Sequence, residues 1–239
     1  MTPTYCLRKN VFICRSGRHW VVLDANHDRY SCIDAEELEQ LRPWLLNPSE
    51  EPSRSIDSLS DLSSTIRQFA SELVKGEILT ENPRDGLPFA PMPMKAAVAS
   101  LQSNPGSAPL RASLVYAPSF FRAARKADKY LAGYSINATL QLVRSLKAQS
   151  KWRINCDVAR LSRVIAQFET LRWFYPREYL CLFDSLALLG FLALNNLSVD
   201  LVFGVTAEPF QAHCWLQHDS TVLNDTLARV SGFSPILSV

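Results

Sequence analysis

The sequence predicts an α+β chain built in two parts. Three observations carry this. Strand-like runs fill residues 4–33, helical patterning dominates residues 95–195, and alternating apolar pieces return only after Asn196. Between the first two lies NPRDGLPFAPMPM (82–94), four prolines with no periodicity, which reads as a linker. At 239 residues the chain suits one large or two small domains. Two are expected: 1–81, then 105–239, joined across 82–104.

The first part opens with TYCLRKNVFICR, HWVVLD and RYSCI as three paired strands, turning at Ser16-Gly17 and at Asn26-His27-Asp28. At Asp34 the period changes. Leu38, Leu41 and Leu45 mark a helical face, Asp34 offers an N-cap, and Glu37 stands three residues on, as a capping box requires. Pro43 predicts a kink or an early end. After a loop at 46–57, Leu59, Leu62, Ile66, Phe69, Ala70 and Leu73 continue at helical spacing to Gly76, which suits a C-cap. Three strands and about three helices in some eighty residues outline a small winged-helix domain.

In the second part, Val158, Leu161, Val164, Ile165, Phe168 and Leu171 form one helical stripe. The run after Cys181 is apolar to Asn195-Asn196, and VDLVFGV, QAHCWLQH and TVLND then read as strands of an antiparallel sheet.

The net charge of +2 hides an asymmetry: residues 1–85 carry 10 Lys/Arg against 14 Asp/Glu, and the remainder 15 against 9. An acidic first half is a poor partner for nucleic acid, whose binding rests on phosphate neutralisation. Arg122, Arg125, Lys126 and Lys129 read as a solvated helix face. No segment reaches the ~18 uninterrupted apolar residues of a membrane span, and the start lacks a signal-peptide core, so a cytoplasmic location is expected, with neither nucleic acid nor membrane as partner. There Cys6, Cys14, Cys32, Cys156, Cys181 and Cys214 are expected to be reduced. Their scattered spacing contains no CxxC pair, so neither disulfides nor structural zinc are predicted, and no metal or cofactor.

Cys181 draws attention because PREYLC places it just after a proline-led turn and at the first turn of a helix. There, unpaired backbone N–H groups and the positive dipole end favour thiolate. Such a thiolate needs a base. Of four histidines, His213 lies mid-strand, where packing alone explains an imidazole poorly, although a hydrogen-bonded structural histidine has the same pattern. His19, His27 and His218 sit beside turns or at a strand end and receive no role. An acid that accepts Nδ1–H would complete the set. Asp225 can lie beside His213 on the adjoining strand, while Asn224 alternates to the other face. By the same alternation Cys214 should point into the core, and the remaining cysteines are read as packing residues. The Cys181 N–H is one candidate oxyanion donor. A helix-borne Cys, a strand-borne His and a neighbouring carboxylate form the arrangement of papain-like and transglutaminase-like acyl-transfer enzymes.

PREYLC with SLALLGFL, then LVFGV, PFQAHCWLQ and VLND, resemble the transglutaminase-like leader peptidases of lasso peptide biosynthesis over most of residues 105–239. VVLDANHDRYSCID and LVKGEILT resemble a RiPP recognition element, so the whole is similar to the fused B proteins of that system. The resemblance implies a winged-helix-like recognition domain followed by a cysteine protease domain, with Cys181 as nucleophile, His213 as base and Asp225 as acid. It implies that Asp28, Arg29, Tyr30, Ser31 and Cys32 pair with the leader of a lasso precursor peptide, opposite residues 65–76. It also implies an asparagine-synthetase-like lasso cyclase as partner. Cys214 is a departure, since the family commonly has alanine after the histidine.

Four functions compete at this point. They are a leader endopeptidase, a transglutaminase or other acyltransferase on the same fold, a non-catalytic peptide-binding scaffold, and a winged-helix transcription factor, against which the acidic front half speaks.

Overall fold

The computed structural model describes residues 5–46, 64–101, 108–133, 135–149 and 157–239. Most of the loop expected at 46–57, the helical start at Leu59 and Leu62, and Cys156 lie outside them. The chain divides into two compact units: residues 1–93 with 205–211, and residues 94–204 with 212–239.

In the first unit the run expected as one opening strand is two. β1 (Cys6–Arg8) breaks at Lys9-Asn10, where Asn10 adopts a left-handed φ of 62°, and the chain resumes as β2 (Val11–Ser16). β2 pairs antiparallel with β3 (His19–Asp24), and β3 with β4 (Arg29–Asp34), giving a sheet ordered β2-β3-β4 with β4 at its edge. The β3–β4 turn is gathered by one carboxylate. Buried Asp24 accepts from the Asn26 N–H at 3.0 Å and from Arg29 Nε at 3.2 Å, and meets His27 Nδ1 at 2.7 Å.

Asp34 caps α1 (Ala35–Leu41), accepting from the Glu36 N–H at 2.8 Å. Leu38 and Leu41 bury its inner face, and Pro43 ends it in a 3₁₀ turn, Arg42–Trp44. α2 (Ser64–Lys75) buries Ala70 and Leu73. Its end differs from expectation by one residue. Glu77, not Gly76, takes the left-handed conformation (φ 61°), with Glu77 N–H donating to Val74 O and Ile78 N–H to Leu73 O, the paired bonds of a Schellman motif.

β5 (Leu79–Thr80) and β6 (Gly86–Leu87) then flank β1. Phe89 is buried in the same core as Leu7, Ile13, Val22, Leu41 and Leu79, against the Trp20 ring at 5.8 Å. The predicted linker, 82–104, is therefore shared out. Residues 86–89 complete the first unit, while β7 (Ala99–Ser100) belongs to the second, pairing parallel with a late strand. Proline removed the alternation by which these short strands could have been recognised.

The second unit is helical first. α3 (Leu110–Ser113) leads through a 3₁₀ turn to α4 (Ala117–Ala132), then α5 (Ile136–Gln149), α6 (Val158–Arg172) and α7 (Cys181–Leu194). α6 buries Leu161, Val164, Ile165, Phe168 and Leu171; Val158, first after the Asp157 cap, stays exposed. Nine residues of α7 are buried, as an all-round apolar helix demands. It lies close on α4, where a Cβ on Gly190 would meet the Ala123 Cβ at 3.4 Å. Phe120, Phe168 and Phe191 close the space between α4, α6 and α7, with edge-to-face and tilted rings 5.3 to 6.5 Å apart.

The sheet follows: β8 (Asp200–Thr206), β9 (Gln211–His218), β10 (Thr221–Val222) and, after the short α8 (Leu227–Val230), β11 (Ser234–Ser238), in the order β11-β8-β9-β10-β7. β10 pairs antiparallel with β9 and is only two residues long, shorter than the expected TVLND strand. Gly204 in β8 sits under Trp215 of β9. A Cβ there would come within 2.7 Å of the indole ring and 2.9 Å of the Phe233 Cβ.

Gly204→Ala must displace a fully buried ring and is expected to cost about 1–3 kcal/mol. Urea unfolding should show a lower midpoint at unchanged m; an unmoved midpoint would contradict the packing described for Trp215.

Candidate active site

The loop between α6 and α7 is held by side chains, because it contains no regular structure of its own. Arg172, the last residue of α6, donates from Nη1 to Tyr175 O at 3.1 Å and from Nη2 to Arg177 O at 3.0 Å and Glu178 O at 3.2 Å. Its Nε binds Asp184, which is 3% exposed. The other Asp184 oxygen accepts the Leu180 N–H at 2.9 Å. One buried ion pair thus fastens the loop carbonyls to the first turn of α7, immediately around Cys181. The Tyr175 ring stacks on Phe183 at 5.6 Å, and the Arg177 guanidinium lies 4.7 Å from the same ring.

Cys181 opens α7 and is half-buried. As a first-turn residue its N–H has no acceptor within the helix, consistent with the oxyanion role considered for it. Its sulfur meets β9. The Cys214 thiol, the His213 imidazole and the Cys214 backbone N–H all lie near enough to stabilise its charged form. Together these lower the Cys181 pKa from 9.0 to about 4, the Cys214 thiol contributing most and His213 next, against the opposing effect of burial.

His213 is 7% exposed, its ring 6.1 Å from that of Trp215 and 5.2 Å from that of Phe233. Its Nε2 lies 2.6 Å from Asp225 Oδ2. The hydrogen bond to Cys181, then that to Asp225, raises the imidazole pKa above 6.5 in spite of burial. The structure therefore brings Cys181, His213 and Asp225 together. One detail is corrected: the carboxylate takes Nε2, not Nδ1, because the imidazole presents its other edge to α7. Asp225 lies just past the end of β10, where its Oδ1 accepts the Thr226 N–H at 2.7 Å. Asn224 does turn elsewhere. Its Oδ1 accepts the Leu216 N–H at 2.7 Å, and its Nδ2 donates to Ser185 Oγ at 2.9 Å.

Cys214 is buried in the core, as expected, its thiol 4.0 Å from Ser185 Oγ. Alternation separates the side chains of His213 and Cys214 onto two sheet faces. The Cys181 sulfur, however, lies near the strand backbone, within reach of the Cys214 N–H, so groups from both faces can approach it. Arg172 and Asp184 were missed, since an arginine ending one helix and an aspartate in the next carry no joint sequence signal.

The leader-binding candidates lie in the first unit. Arg29, Tyr30, Ser31 and Cys32 are on the edge strand β4, with Cys32 exposed, and Asp28 precedes it at φ 54°. Arg29 also donates to Gly76 O, at the end of α2. A cavity of about 320 Å³ borders α2 at Arg67, Ser71 and Val74, but its other walls include Tyr5 and Glu81 rather than β4.

A cavity of about 730 Å³ opens beside Asp225 in the second unit, walled by Phe168, Trp173, Tyr179 and Leu188 and edged by Asn224 and Arg229. Among the described residues no cluster of His, Cys, Asp and Glu could hold a metal ion, no cysteine forms a disulfide, and no helix is long and apolar enough to cross a membrane.

Residues 124–238 match the model of the transglutaminase-like superfamily, a stretch that contains Cys181, His213 and Asp225. The second half of the chain thus carries a transglutaminase-like domain, a fold typically built for cysteine-based catalysis. No curated protein and no solved structure matches the chain.

Two outcomes are expected. Arg172→Leu leaves Asp184 buried and uncompensated and should cost about 3–5 kcal/mol in chemical denaturation. Adding Asp184→Leu should recover part of that loss, and a single variant as stable as the wild type would remove the clamp. The signs of the two shifts also define a pH window. The lowered thiol pKa keeps Cys181 charged above about pH 4, and the raised imidazole pKa keeps His213 charged up to a value above 6.5. Iodoacetamide labelling of Cys181 should therefore stay fast as pH falls from neutral towards about 4. A thiol of ordinary pKa would instead slow about tenfold per pH unit.

Proposed function

We propose that the chain is a cysteine endopeptidase that binds the leader of a lasso precursor peptide and cleaves it away, freeing the core N-terminus for ring closure by a separate asparagine-synthetase-like cyclase. The observation that carries the chemistry is His213 standing between the Cys181 sulfur and the Asp225 carboxylate, with Nε2 2.6 Å from Oδ2. The superfamily match supports cysteine chemistry. The lasso substrate rests on the resemblance of PREYLC, PFQAHCWLQ and VLND to the leader peptidases.

In this reading the Cys181 thiolate attacks the scissile carbonyl. The backbone N–H of Cys181 faces the developing oxyanion, and the imidazolium gives its sulfur-facing proton to the leaving amine. Asp225 retains the second N–H and steadies the imidazolium until then. Water, deprotonated by the neutral imidazole, next releases the leader from the acyl-enzyme. The aromatic cavity beside Asp225 offers apolar wall for side chains flanking the scissile bond.

Asp28, Arg29, Tyr30, Ser31 and Cys32 are assigned to leader pairing. Their support is the edge position of β4, where an extended peptide can add a strand through backbone hydrogen bonds. Tethering this recognition to the peptidase raises the effective concentration of the scissile bond.

Transfer to an amine in place of water is the second reading, and the superfamily match favours it equally, since both reactions occur within that fold. Mass spectrometry of the full chain incubated with a lasso precursor peptide separates the two: hydrolysis yields two fragments, transfer a joined product. Cys181→Ala should bind the precursor as the wild type does and release no fragment. Cleavage by the purified variant would dispose of the mechanism.

A further inference from the structure

The strand expected over TVLND ends at Val222, and Asn224 accounts for where the chain leaves the sheet. The Leu223 N–H still donates to Leu216 O at 2.9 Å, but the Leu216 N–H, which a continued ladder would give to a main-chain carbonyl, goes instead to Asn224 Oδ1 at 2.7 Å. A side-chain amide has taken the place of the next rung. The departure matters for the residue that follows. β10 meets β9 with Thr221 opposite His218 and Val222 opposite Gln217, so an unbroken ladder would set Asp225 opposite Cys214. Having left it, Asp225 brings Oδ2 to within 2.6 Å of His213 Nε2.

The same amide reaches a third element. Its Nδ2 donates at 2.9 Å to Ser185 Oγ, fully buried on α7 and one turn on from Cys181. Ser185 is itself placed against β9, its Oγ 3.5 Å from Cys214 O. The Leu216 N–H settles which way round the amide sits, since the reversed orientation would oppose two donors. One side chain therefore touches β9 three residues from His213, α7 one turn from Cys181, and the turn that carries Asp225.

We propose that Asn224 is a positioning residue for the reaction: its amide, bonded to the Leu216 N–H and to Ser185 Oγ, sets the registration of β9, α7 and the turn after β10, from which imidazole, sulfur and carboxylate are delivered. The assignment rests on Cys181 being the nucleophile, as proposed above. Asn224 spends both of its hydrogen bonds on the elements that carry these groups and acts by holding them. The task calls for an amide, because Oδ1 faces a donor while Nδ2 faces an acceptor. Leucine, of similar size, would leave the buried Leu216 N–H without its acceptor. Substitution at 224 therefore lowers stability in any case, and only the placement of the reacting groups distinguishes positioning from plain support.

The test is iodoacetamide labelling of the full chain across pH, read at Cys181 by mass spectrometry, in the wild type, Asn224→Ala, Ser185→Ala and the double variant. None of these substitutions removes an ionisable side chain, so a displaced midpoint reports altered placement of the groups around the sulfur. Asn224→Ala is expected to raise the midpoint by about one pH unit or more, the size of a weakened hydrogen bond to a charged group. Ser185→Ala should move it the same way by less, because the bond to Leu216 survives. The double variant should move it no further than Asn224→Ala, since both act through one contact. An Asn224→Ala profile superimposed on a low wild-type profile overturns this proposal and leaves the nucleophile assignment standing, as do single shifts that add in full. A wild-type midpoint near the ordinary 9.0 overturns both. Should Asn224→Ala fail to fold, Ser185→Ala decides alone, and an unmoved midpoint there overturns the proposal.

Discussion

A buried imidazole cannot carry a proton unless both of its nitrogens have partners, and the second unit is organised around meeting that condition for His213. The side chain is almost wholly enclosed, so an unmatched N–H would cost as much as any polar group taken from water. Asp225 meets one nitrogen and the Cys181 sulfur the other. Each partner has to be delivered from a different element. The carboxylate comes from the turn after β10 and the sulfur from the start of α7. The ring itself is placed by β9, whose Trp215 can lie flat only because β8 has no side chain at position 204.

Delivery of the sulfur is the most demanding part, because the nucleophile sits where a loop without secondary structure becomes a helix. Two devices act there. Small residues on α4 and α7 let the helices approach closely, setting the depth of α7. The Arg172–Asp184 pair then fixes its end, one member holding three loop carbonyls and the other the Leu180 N–H. Such a pair adds little net stability over an apolar equivalent. Its value lies in geometry, since a misplaced sulfur would also leave the imidazole unmatched.

Cys181, His213 and Asp225 were legible in the sequence because each stands out against its local pattern: a cysteine at a helix start, a histidine inside a strand, an acid where alternation reaches the same neighbour. The helical stripes were legible for the same reason, since period and burial coincide in α6 and α7. Legibility fails where partners are remote or where a contact depends on which edge of a ring is presented. Nothing in the sequence joins Arg172 to Asp184. Nor does alternation reveal which edge of a ring faces which neighbour, so the nitrogen bound by Asp225 was misassigned. In the first unit, β6 was hidden by surrounding prolines, and the one-residue displacement of the left-handed cap arose because glycine is merely the commonest occupant of that conformation.

The way Arg172 grips the loop has an evolutionary corollary. It seizes main-chain oxygens at 175, 177 and 178, and every amino acid offers an identical oxygen. The side chains at Glu178, Tyr179 and Leu180 are thereby relieved of architectural duty and project outward beside the sulfur. Descendants of this chain can exchange them without loosening the grip on the main chain beneath.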